Sequence, residues 1–523
     1  MNRRDFLKIG ASGLTMVAVG TMADWPLFLS GSPAFASHLA SDRLDLEMVA
    51  TMAEMVDRVQ VPMWAFRLKE TDHEDMVGGE RIPGPGLIAL TGDRIRLRIT
   101  NSVGQGGAHG FAIPGVPLTV DGNVVSQVTI PANDDVTIEF TAPAAGTYMY
   151  LDPFNAPVNR VMGLHGVLIV LPDPVGNNTP YSNPTSRVQH LFDDLGSTDH
   201  FPGNPWDPMR NVVWLFNVID PFKCAAAAIP GALAPAVFLD NFLPQYFTIN
   251  GKSGYFSAQH AHGVTGDMEE HAEETRTSFA EGLFDLQRNI SVRGTVGQPA
   301  LIRSLNAGVM WQSPHIHGNH VYLLSHANAV SGNRKIFNNL TMVDTWSIAP
   351  CDIKDVLLPF IQPPDIPAHT WARLANDTSD ELFPLIYPMH DHNELSNTAA
   401  GGNYPFGAAT HWQIDNPYDP ANPATAVVRI DKAEVRLKTG QLLIEGRCTV
   451  PGLMLVMHGG GHSGPMLNES IHVDNEAGSD GSFRFHFRGR ALKALATRTL
   501  TIMHHDHMTG MEHVLASVPL KVR

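Results

Sequence analysis

The chain has 523 residues, more than one ordinary domain holds and suited to about three. Its 52 acidic residues outnumber 36 Lys and Arg, and the net charge of −16 argues against nucleic acid or an anionic membrane surface as partner. Only 17% of residues are charged while Gly (46) and Pro (38) abound, so the recurrent short runs between turn signals read as all-β.

The first residues, MNRRDFLKIGASGLTMVAVG, place Arg3 and Arg4 before Phe6, Leu7 and Lys8. A modest apolar stretch follows and ends at Ala34-Phe35-Ala36, an A-x-A cleavage pattern. The RRDFLK core looks like a Tat-type signal, so residues 1–36 are expected to be removed on export to a periplasmic or extracellular space. Their loss takes away three basic and two acidic residues and leaves the charge near −17. No other stretch reads as a transmembrane span, so the mature form is expected to have none. Cys224, Cys351 and Cys448 form no C-x-x-C, permit at most one disulfide, and do not reveal which pair would make it.

Residues 37 to about 80 are mixed and include the strand-like VPMWAFRL. A clear β pattern follows in GLIALTGDRIRLRITNS, VVSQVTIPANDDVTIEFTAPAAGTYMYL and VMGLHGVLIVLP, which defines a first domain over 37–172. PDPVGNNTPYSNP (172–184) is a natural boundary. A second β domain spans 187–418 and carries NVVWLFNVID, YFTINGK, PALIRSLNAG, HVYLLS, DTWSIAP, KDVLLPF and THWQI. Within it, 253–287 is acidic and helix-prone and reads as an insertion; Gln259-His260-Ala261-His262 at its start reads as a metal point or, more simply, a solvated loop. After the linker DNPYDPANPAT, residues 425–523 hold seven or eight short strands, the size and spacing of an immunoglobulin-like sandwich.

The 25 histidines and 21 methionines matter because both types bind transition metals. In YPMHDHNELS (387–396), His390 and His392 flank Asp391, so on a strand both imidazoles leave one face and the acid leaves the other. SPHIHGNH (313–320) repeats the His-x-His spacing with His315 and His317.

These motifs, in this order, resemble the multicopper oxidase and copper nitrite reductase superfamily. AGTYMYL with GLHGVLIV resembles the end of a first oxidase domain. YFTINGK, GQPALIRSLNAG and SPHIHGNH resemble the opening of a copper-bearing last domain, and YPMHDHNELS stands where the family has its closing His-Cys-His segment. The likeness covers about 90–415. It implies two cupredoxin-like Greek-key β-sandwich domains, followed by the immunoglobulin-like β-sandwich.

Carried over residue by residue, the resemblance makes His315, His317, His390 and His392 type 2 and type 3 copper ligands, and His109 in GGAHGF a fifth. Gly107, Leu151 and Pro153 stand where other first-domain histidines belong. Gln312, Asp391 and Ser396 occupy the type 1 histidine, cysteine and histidine positions, so the electron-transfer copper is expected to be absent. His165 and His320 are further ligand or supporting candidates.

The family reading implies one or two coppers per chain at an inter-domain cluster, with zinc suited to the same imidazoles. Weaker copper candidates lie in the C-terminal domain: Met454, His458 and His462, and His504, His505, His507 and Met508. Core methionines and loop histidines account for these equally well. The functions that fit are a copper-dependent oxidoreductase acting on a small-molecule substrate, a non-catalytic protein handling copper ions, or a metal-free envelope scaffold. Two-domain relatives place the shared site between subunits of a homotrimer, which would bring His109 of one subunit to the later histidines of the next; a degenerate middle domain within 187–300 would instead close the site within one chain.

Overall fold

Residues Leu44–Ser102 pair in a way that residues Asn211–Asn306 repeat. Leu44–Glu54 runs parallel to Arg94–Ser102, which is antiparallel to Asp135–Thr141. Likewise Asn211–Ile219 runs parallel to Ala300–Asn306, which is antiparallel to Asp352–Leu358. Opposite these, His165–Leu171 pairs parallel with Gly86–Leu90, and Val292–Gly294 pairs parallel with Ala409–Ile414. Two β units of the same plan therefore follow one another, as the cupredoxin-like reading expects. The computed structural model describes residues 44–69, 82–258, 283–366, 384–414 and the strands between 428 and 522, apart from short breaks at 105–106, 173–176, 199, 202, 207–209, 232, 285, 287–289 and 295. The expected signal at 1–36 and His260 and His262 lie outside the described residues.

In the first unit one sheet has the order Gln60–Leu68, Leu44–Glu54, Arg94–Ser102, Asp135–Thr141, Leu118–Val120, Asn123–Val125. The facing sheet has the order Gly146–Leu151, His165–Leu171, Gly86–Leu90, Leu283–Phe284. The period-2 alternation of RIRLRITNS buries Ile95, Leu97 and Ile99 against this second sheet. GVLIVL is buried throughout because it is covered on both faces. Leu283–Phe284, the end of the segment read as an acidic insertion, pairs with Gly86–Leu87 and so completes the first unit's sheet.

The second unit has a six-stranded sheet, Tyr246–Ile249, Asn211–Ile219, Ala300–Asn306, Asp352–Leu358, Val321–Asn328, Arg334–Val343. Its four-stranded sheet is Val292–Gly294, Ala409–Ile414, Leu385–Asp391, Pro314–Ile316. Trp214, Trp346, Phe360 and Trp412 fill the space between.

The two units share a buried seam. Ile88, Met149, Val167 and Ile169 of the first pack with Val213, Leu215, Leu305 and Ile353 of the second. Arg303 is fully buried there, with Nε donating to Asn211 (2.8 Å) and Nη1 to Thr147 (2.7 Å). Asp355 accepts from Thr147 (2.6 Å), Tyr181 (3.1 Å) and Ser325 (3.1 Å). A charge is tolerated at this depth because its partners are fixed on three sides. Cys224 and Cys351 are buried free thiols.

The C-terminal region forms two four-stranded sheets, Ser482–Arg488, Gln441–Cys448, Val428–Arg436, Lys521–Val522 and Ile471–His472, Met454–Gly459, Thr499–Asp506, Met511–Pro519. Among the described residues no helix is long and apolar enough to cross a membrane.

Candidate metal centre

Two short strands at the edge of the second unit carry four histidines. Pro314–Ile316 pairs antiparallel with Leu385–Asp391, placing Pro314 opposite Asp391, His315 opposite His390 and Ile316 opposite Met389. Alternation sorts the side chains: Pro314, Ile316, Met389 and Asp391 are buried, while His315 and His390 are half-buried and His317 and His392 exposed. All four imidazoles thus leave one face.

His315, His317 and His390 each offer a ring nitrogen, and these atoms lie within 4.8 Å of one another. The Nε2 atoms of His317 and His390 are 3.1 Å apart. The His392 ring adjoins that of His315, with centroids 4.8 Å apart, and stacks on that of His390 at 5.6 Å.

Surrounding residues fix these rings. His315 Nδ1 lies 2.8 Å from Thr345 Oγ1 and 3.7 Å from Asp344, leaving Nε2 to face the cluster. The Trp412 indole donates to the His317 carbonyl at 2.7 Å, and its ring stacks on Tyr387. Gly318 takes φ of +75° immediately after His317, where a side chain would run into the Tyr387 ring. Partial burial, with repulsion from the neighbouring imidazoles, holds His315 and His317 below the ordinary histidine range.

The first unit places its histidine differently. His109 is buried, donates through Nδ1 to Asp152 Oδ2 at 2.7 Å, and meets Trp64 edge-on at 5.0 Å. Asn159 donates to the same carboxylate oxygen at 2.7 Å. His109 is not in the three-histidine group of this chain. Asp152 and Asn159 went unread in the sequence because nothing local ties Asp152 to a residue 43 positions earlier.

His165 is fully buried, with Nδ1 donating to the Arg160 carbonyl at 2.7 Å and Nε2 without a partner. His320 is half-buried and also outside the group. In the C-terminal region His462, His507 and Met508 lie outside the described residues. Met454 and His458 share one strand, and His504 and His505 share its neighbour. Leu455 pairs with His504 and Gly459 with Leu500, so His458 and His504 lie toward opposite ends of the strand pair.

At the positions that the resemblance assigns to a type 1 copper, Asp391 is fully buried and accepts from Ser396 Oγ at 2.8 Å. Gln312 is buried with neither amide atom hydrogen-bonded. Two carboxyl or amide groups and a hydroxyl lack the thiolate that a blue centre requires.

The exposed cluster fits a borderline transition metal. Three nitrogens converge there, and two of them belong to His315 and His317, which are held below the ordinary histidine range and so favour the proton-free form that a metal needs. Residues 63–174 match the family described as multicopper oxidase. An L-ascorbate oxidase of Brassica rapa subsp. pekinensis is 32% identical over 94 residues, which is 17% of this chain and 16% of that protein. Similar solved structures include a blue copper oxidase of Nitrosomonas europaea, at 18% identity over 71% of this chain and 85% of that one, with a TM-score of 0.46. A copper nitrite reductase of Nitrosomonas europaea is 16% identical over 72% of this chain and 94% of that one, with a TM-score of 0.42. Residues 63–174 thus carry a multicopper oxidase family domain, with an L-ascorbate oxidase as a homologue of which this chain spans 16%.

Proposed function

We propose that this is an exported copper protein in which His315, His317, His390 and His392 hold copper at a surface cluster, and that it acts as an oxidoreductase on a small-molecule substrate without a type 1 centre. The observation that carries this reading is the convergence of three ring nitrogens within 4.8 Å on an open face. Bound copper supplies a redox centre and a Lewis acid. The protein's part is to orient the rings: Thr345 engages His315 Nδ1, and the Trp412 indole holds the His317 carbonyl. Exposure of His317 and His392 lets a substrate meet the cluster directly, so no relay is needed.

Export rests on the twin arginine and A-x-A pattern of residues 1–36 and makes the location periplasmic or extracellular. A homotrimer would complete the cluster with His109 of a neighbouring subunit. Support comes from the separation of His109 from the group within one chain and from exposed Trp311, Ile386 and Leu395 in the segments that carry the four histidines.

The test is metal analysis of the mature protein after reconstitution with copper and with zinc, together with its visible and EPR spectra. One or two coppers per chain, no intense blue band, and loss of copper in His390→Ala are expected. Protein that retains no metal would refute the reading and favour a scaffold. Bound copper with no turnover of any phenol, metal ion or nitrite would favour copper handling.

A further inference from the structure

The acid between the two histidines has a job that the loss of a blue copper does not explain. Asp391 lies on the buried face of the strand pair whose open face carries the imidazoles, directly opposite Pro314. Both carboxylate oxygens are used. Oδ2 accepts from the Ser313 amide at 2.7 Å, and Oδ1 accepts from the Asn393 amide and the Ser396 hydroxyl, both at 2.8 Å.

Ser313 is two residues before His315 and is gripped twice. Its amide enters the Asp391 carboxylate, and its carbonyl accepts from the His392 amide at 2.9 Å. The carboxylate therefore ties the segment leading to His315 and His317 to the segment that bears His390 and His392. Gln312, the buried polar side chain next to Ser313, makes no side-chain hydrogen bond and so adds nothing to this tie.

We propose that Asp391 is a positioning residue for the imidazole cluster: its buried carboxylate sets the spacing of the two His-x-His segments and thereby the separation of their ring nitrogens. This rests on the reading that the cluster holds copper. The side chain faces away from the imidazoles, so it acts through the backbone and touches no metal. Charge-assisted bonds from two backbone amides hold a fixed geometry better than neutral ones. Asn at this site would turn an NH2 toward one of three donors, whereas Ser396→Ala removes one donor and leaves the carboxylate.

The experiment compares the full-length mature protein with Asp391→Asn, Ser396→Ala and His390→Ala. Copper affinity is measured by competition with a chromophoric chelator, the copper form is examined by EPR, and thermal unfolding is followed without metal. Asp391→Asn is expected to weaken copper binding by roughly 10- to 100-fold and to change the EPR hyperfine splitting, the scale found when supports of metal ligands are removed. Ser396→Ala should shift both readouts in the same direction by less, and it serves if Asp391→Asn fails to fold. Wild-type affinity and EPR spectrum in both variants, whatever their melting temperatures, would assign Asp391 to folding alone and overturn the proposal. Equal copper binding by wild type and His390→Ala would overturn the copper reading itself, and the positioning role with it.

Discussion

The Nε2 atoms of His317 and His390 face each other at 3.1 Å although 73 residues separate them in the chain. At that distance the two nitrogens cannot both carry protons comfortably, and repulsion from His390 is among the causes that hold His317 below the ordinary range. A metal needs the proton-free form, so affinity should stay nearly level down to the ordinary histidine value of 6.5 and weaken only below it. The loss should then be about tenfold per pH unit for each imidazole proton displaced. Chelator competition from about pH 7.5 to about pH 5 checks this. A steep loss already complete at 6.5 would contradict the lowered values.

Much of this arrangement was legible. The two-residue spacing of His315/His317 and His390/His392 sets both pairs on one strand face by geometry alone, and alternation in RIRLRITNS and continuous burial in GVLIVL announce the all-β class. What stayed hidden depends on contacts between distant segments. Thr345 reaches His315 through an isolated bridge, and Trp412 reaches the His317 carbonyl across 95 positions. Leu283–Phe284 joins the first unit's sheet with two residues, too few to show any period inside an acidic segment.

His165 makes stability depend on pH. Burial lowers it from 6.5 to about 4, so between those values the unfolded chain binds a proton that the folded chain does not. Stability from this site is complete above 6.5 and is lost as the pH falls toward 4, to a total of about 3 kcal/mol. His165→Phe forfeits the bond to the Arg160 carbonyl and should be less stable at neutral pH, yet lose less on acidification. Urea unfolding of both proteins across this range gives the two slopes, and equal slopes would contradict the assignment.

The seam between the two units hangs on Asp355. Asp355→Ala would leave Arg303 buried with a lost countercharge at 3.7 Å and would strand the Thr147 and Tyr181 hydroxyls. The cost should be about 3–5 kcal/mol, read as a lowered denaturant midpoint. Replacing both partners, as Arg303→Met with Asp355→Leu, should cost less than Asp355→Ala, because no uncompensated charge remains. A double variant less stable than the single one would show that the hydrogen bonds to Asn211 and Thr147 outweigh the burial of the charge.

Asp391 stands on the inner side of the strand that carries His390, Gln312 and Ser396 are buried just outside the two strands, and Asp391 already contacts Ser396 at 2.8 Å. If these are the emptied positions of a blue centre, the backbone that once served it should still present them together. The triple variant Gln312→His, Asp391→Cys, Ser396→His supplies a thiolate and two imidazoles, the minimum that such a centre requires. With copper it should gain an intense visible thiolate absorption and one more bound copper per chain than the parent. Asp391→Cys alone adds a thiolate beside an amide and a hydroxyl and should give no comparable band. Because Asp391→Cys also removes the acceptor for Ser313 and Asn393, the triple variant is expected to hold copper at the outer cluster more weakly. A triple variant that folds, binds copper outside and stays colourless would mean that the pocket has closed around the carboxylate, and that the inner face now serves only to brace the strands.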